Sequence, residues 1–94
     1  MKITDLKVGK YYKLTYPLYY DKANLVFFMK IYKEIEIEDK LARLHIQGIK
    51  YKNNKLTNIY QKDDRIFLHV KVRGRGIKEI PEMEFDMEYK LAIL

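Results

Sequence analysis

Between Arg65 and Gly76 the chain runs RIFLHVKVRGRG, and Ile66, Leu68, Val70 and Val72 alternate there with Arg65, Phe67, His69, Lys71 and Arg73. Alternation with period two puts the two sets on opposite faces of a strand, so the aliphatic set should meet a core. The same pattern recurs in segments rich in Ile, Val, Tyr and Phe, and predicts strands near 8–16, 25–37, 41–52, 55–61, 65–73 and 83–93. A helix over EIEDKLARL, with Glu36/Lys40 and Asp39/Arg43 spaced as i,i+4 pairs, competes only in the middle of the chain. Unbroken alternation on both sides of it favours a hairpin instead.

Ninety-four residues suit one domain, 1–94, with no visible repeat or linker. Six short strands in a meander, the first pairing with the last to remove the edges, describe an all-β fold. The expectation is a small antiparallel β-barrel or strongly curved meander of five to six strands, SH3-like or OB-like in size, with little or no helix. No segment between strands reads as the extra helix common in OB-folds, which favours the SH3-like side.

Three dipeptides, Asp39-Lys40, Asn53-Asn54 and Asp63-Asp64, are candidate tight turns. With two-residue turns, Ile37 faces Ala42, Ile35 faces Leu44, Gly48 faces Ile59, and Ile59 faces Leu68. One face then collects Phe27, Met29, Ile31, Ile35, Ile37, Ala42, Leu44, Ile46, Ile59, Ile66, Leu68, Val70 and Val72, a consistent core. Lys33 breaks the pattern and predicts a bulge. On the opposite face Glu36 meets Arg43 and Glu34 meets His45. Tyr32, Gln47, Tyr60 and Phe67 form one row there, Lys30, Ile49, Asn58 and His69 the next, and Phe28, Tyr51, Leu56 and Lys71 a third. A sheet face turned only to water would be mostly polar, so this one is either covered or used for binding.

Charge sharpens the alternatives. The net charge of +6 divides into +2 over residues 1–40, +8 over 41–78 and −4 over 79–94. A basic middle suits an anionic partner, and an acidic end suits oriented docking on a protein or on another copy of the chain. With no cysteine, disulfide scaffolds, thiol nucleophiles and Cys-ligated zinc are excluded. MKITDLKVGKYYK lacks an apolar h-region and the longest apolar run, Leu25 to Met29, is too short to span a bilayer. The expectation is a cytoplasmic, basic, soluble chain that keeps its start and has no membrane partner.

The first functional reading is a non-catalytic nucleic-acid-binding module for single-stranded DNA or RNA. Arg65, His69, Lys71, Arg73 and Arg75 would follow the backbone, while Phe67, Tyr60, Tyr51 and Tyr32 would stack on bases. RGRG resembles an Arg-Gly binding element, although two glycines after a strand equally make a turn. The alternative is a protein–protein interaction or inhibitor module. It would dock through the acidic final strand, with Glu82, Glu84, Asp86 and Glu88, or through the tyrosine-rich segment, on a partner such as a nucleic-acid-processing enzyme. A homodimer is left open. His45 and His69 are the only histidines and have no supporting carboxylate or hydroxyl constellation, so neither catalysis, a metal nor a cofactor is expected.

Overall fold

The computed structural model describes residues 1–18, 23–70 and 76–94. A short 3-10 helix, Ile3–Asp5, leads into β1 (Tyr11–Leu18), β2 (Ala23–Ile31), β3 (Glu36–Glu38), β4 (Leu41–Lys52), β5 (Lys55–His69) and β6 (Ile77–Ile80), and the chain ends in α1 (Glu82–Ile93). All pairings are antiparallel. Across the sheet the order is β6, β1, β2, β4, β5, and β3 shares the β2 edge of β4. The described chain is predominantly β as expected, and its first and last strands, β1 and β6, do pair, but the sheet is open: β5 and β6 remain edges and no ring closes.

Turn chemistry fixes the middle of the sheet. Asn53 and Asn54 both take positive φ, 51° and 66°, in the two-residue loop between β4 and β5. Asn accepts that region more readily than other side chains. Asn53 also ties this loop to β2, donating its N–H to the Asn24 carbonyl at 3.0 Å and accepting from the Asn24 N–H through its side chain at 3.1 Å. Asp39, at φ 59°, turns β3 into β4, with Ile37 opposite Ala42 and Glu36 opposite Arg43 as predicted.

Asp63-Asp64 is one of two places where the expected register fails. Asp63 does take positive φ, 66°, but the chain does not reverse. The twelve residues of β4 offer partners to both halves of 55–69, so the extra residues are absorbed in a bulge, closed by the Gln61 N–H donating to Asp64 Oδ2 at 2.7 Å. Two predicted strands therefore form one, β5. A second irregularity lies nearer the Asn53-Asn54 turn, where Tyr51 pairs with Leu56 but Lys50 with Asn58, leaving Thr57 as the extra residue. Beyond it Gly48 pairs with Tyr60 rather than Ile59, Ile59 pairs with Ile49 rather than Leu68, and Tyr60 moves to the core side. Ile59 is left exposed, as is Ile37 in the short β3. Lys33 lies in the bend between β2 and β3, so the predicted irregularity is a break between strands.

The C-terminal segment is the second correction. The alternation of Met83, Phe85, Met87, Tyr89, Leu91 and Ile93 predicts a strand, yet 82–93 is an α-helix. Phe85, Tyr89 and Ala92 also fit helical spacing, and Glu, Met, Lys, Leu and Ala are good helix formers. Pro81 precedes the first turn, where Glu82 and Glu84 favour the positive end of the helix dipole. Local propensity wins because β6 has already ended the sheet at that edge.

Two cores result. On one side Ile3, Leu6, Tyr12, Leu14, Phe27, Met29, Ile31, Ala42, Leu44, Ile46, Ile66 and Ile77 cluster. Among the described elements only the N-terminal segment is added to that face, so the sheet must curl around the cluster to seal it. The Tyr12 hydroxyl accepts the Lys7 N–H at 2.9 Å and pins the segment down. On the other side α1 packs Phe85 against Phe28, Ile49 and Ile80, with Tyr11, Val26, Tyr51, Tyr89 and Ala92 around them. Burying side chains of this size is worth ~1.5–3 kcal/mol each.

Candidate functional site

The aromatic face of the sheet is thus half covered, and its cover is the chain's own helix. Tyr11 lies 5.2 Å from Phe85, centroid to centroid, and Tyr51 meets Phe28 edge-on at 6.3 Å. Further along, the Tyr89 hydroxyl donates to the Tyr60 carbonyl at 3.4 Å. Burial pushes the phenols of Tyr11 and Tyr51 up from their ordinary pKa, aided by Glu82 at the first and Glu88 at the second.

Beyond the helix the face is an open floor of cations and rings on β2, β4 and β5. Lys30 Nζ stands 5.0 Å from the Tyr32 ring centre and 5.5 Å from that of Tyr11, and Lys62 Nζ stands 5.9 Å from Tyr32. The Tyr32 hydroxyl donates to Gln47 Oε1 at 2.7 Å, which holds the ring in place. Phe67 is 54% exposed, and the guanidinium carbons of Arg43 and Arg65 each lie 5.8 Å from its centre. Rings gripped by cations at this range keep their orientation, with ~0.5–1 kcal/mol per exposed contact.

Carboxylates answer part of this charge. Arg43 Nη1 meets Glu36 at 3.2 Å, Lys33 meets Asp63 at 3.4 Å, and His45 Nδ1 meets the same carboxylate at 3.3 Å. The described ion pairs leave out Lys30, Lys62 and Arg65. Desolvation works against the charge on Lys30, but Tyr32 and Tyr11, with Glu82 behind them, more than offset it, and its pKa is raised. Beside Phe67, Glu36, Glu38, Asp39, Leu41 and Arg43 line a recess of about 260 Å³. A larger groove of about 720 Å³ lies at the N-terminal segment, where Lys7 and Lys10 are offset by Asp5 and Glu79.

Of the predicted binding residues, the floor brings together Arg65, Phe67 and Tyr32. His69 lies at its margin opposite Leu41. Tyr60 is on the other face, stacked near Phe27 at 6.4 Å because Thr57 is an extra residue in the ladder, and Tyr51 is beneath α1. Lys71, Arg73 and Arg75 lie outside the described residues. Glu82, Glu84, Asp86 and Glu88 sit on a helix rather than a strand. Glu34 is not the partner of His45; Asp63 is. Lys30, Arg43 and Lys62 were not among the expected contacts. Arg43 was within reach of the sequence, since pairing Leu41 with His69 sets it opposite Phe67, whereas Lys62 is delivered by the bulge.

The floor can hold planar groups against rings and guanidinium planes, and anions against the three cations. Among the described residues no group of three or more His, Asp or Glu is placed to hold a metal ion, and no helix is long and apolar enough to cross a membrane. No family model matches this chain, and neither a curated protein nor a solved structure matches it.

Proposed function

We propose that the protein is a non-catalytic nucleic-acid-binding module that holds single-stranded DNA or RNA on the open half of its aromatic face, in a curled sheet of SH3-like or OB-like size. The observation that carries this is Phe67, exposed between two guanidinium groups on a floor where Lys30, Lys62 and Arg65 have no carboxylate within the described ion pairs. Bases would stack on Phe67, on Tyr32 or on an arginine plane, and phosphates would follow the cations. Fluorescence anisotropy with a labelled single-stranded oligonucleotide tests it. With about three phosphate contacts, log affinity should fall against log salt with a slope near −2. Phe67→Ala should weaken binding by about 5- to 150-fold, from a stacking contribution of ~1–3 kcal/mol. Absence of binding at low salt would sink the proposal.

A second reading, protein docking through the acidic C-terminal segment, draws on the outer side of α1. Met83, Met87 and Leu91 are 74%, 60% and 66% exposed. At i, i+4 and i+8 they form an apolar stripe facing away from the sheet.

A further inference from the structure

The stripe on α1 and the cationic floor lie on the same side of the sheet. One is a ridge with apolar residues between carboxylates: Met83, Met87 and Leu91, with Glu84 on one flank and Asp86 on the other. The other is a floor of mixed charge: Glu36, Glu38 and Asp39 line the recess beside the half-exposed Leu41 and Phe67, with Arg43 paired to Glu36, while Lys62 and Arg65 have no carboxylate within the described ion pairs. The acidic ridge and the part of the floor that carries Lys62 and Arg65 are complementary under a two-fold axis, which sets each copy's ridge on that part of the other's floor.

We infer that the occupant of the outer face of α1 is a second copy of this chain, in a face-to-face dimer whose two helices lie side by side between the two sheets. Charge favours this pairing. Residues 82–93 carry four carboxylates and one lysine, so helix against helix alone would set like charges together, while helix against floor sets carboxylates against Lys62 and Arg65. Area favours it too. A single stripe of three side chains falls short of the ~800 Å² per partner that stable association takes, whereas reciprocal docking covers ridge and floor on both copies. The inference rests on the protein-docking reading and not on the nucleic-acid one.

Sedimentation equilibrium of the full chain, without oligonucleotide, tests it with two charge-swapped variants. The wild type should be dimeric at low salt and dissociate as salt rises. The helix variant Glu84→Lys/Asp86→Lys and the floor variant Lys62→Glu/Arg65→Glu should each be monomeric, with circular dichroism showing that both remain folded. Mixed in equal amounts they should form a 1:1 dimer, because each then meets its opposite charge on both surfaces. A wild type that stays monomeric up to millimolar concentration overturns the inference, as does a dimer that survives both swaps or a mixture that fails to pair. A monomeric wild type that captures a host protein, with capture lost in the helix variant, overturns self-docking while leaving the docking reading in place.

Discussion

Tyr60 is a phenol turned into the core, and burial, reinforced by Asp64, raises its pKa above the ordinary tyrosine value. The folded state therefore holds this proton more tightly than the unfolded chain does. Such a group stabilises fully below its unfolded pKa, near 10, and the contribution is lost as pH rises through the folded value. Tyr11 and Tyr51 are shifted in the same direction. Thermal unfolding followed from pH 9 to 11 should show a falling midpoint, and Tyr60→Phe should fall less steeply. An identical slope in the variant would show that Tyr60 does not carry the effect. Residue by residue, the sequence made Arg65, Phe67 and Tyr32 recognisable as one outward set, because alternation alone decides facing within a regular strand. It misplaced Tyr60, because a bulge shifts every facing beyond it and leaves no periodic signature of its own.

Among the elements, the close approach of β4 to β2 depends on Gly48. A Cβ there would collide with the Phe28 carbonyl oxygen across the β2 pairing, and backbone cannot swing aside as a side chain does. Gly48→Ala should cost ~1–3 kcal/mol, read as a midpoint lowered by about 4–8 °C per kcal/mol in thermal unfolding. An unchanged midpoint would mean that the strands can separate locally without loss. Turns and register from 36 to 56 were readable because Asp39, Asn53 and Asn54 mark positive φ with suitable residue types. The helix was not, since six alternating apolar positions satisfy a strand template and a helix is distinguished only by Phe85, Tyr89 and Ala92 together with Pro81 at its start.

For the molecule as a whole, one surface is asked to do two things. If a second copy and an oligonucleotide both use the cationic floor, each must weaken the other by mass action. Adding oligonucleotide at low salt should convert dimer to a monomeric complex, measurable by sedimentation with a labelled strand, and Phe67→Ala should blunt that conversion. A ternary complex of two chains and one strand, with the dimer undisturbed, would place the strand elsewhere. The two-sided burial of the sheet also has a temporal meaning. Its inner face is sealed by the N-terminal segment and by its own curling, but the outer face waits for α1, which follows every strand in chain order. During synthesis at ~5–20 residues per second, Phe28, Ile49 and Ile80 stand uncovered after the strands have emerged. The last thirteen residues are thus a closing step, and a chain stopped before them would present an apolar sheet ringed by lysines and arginines.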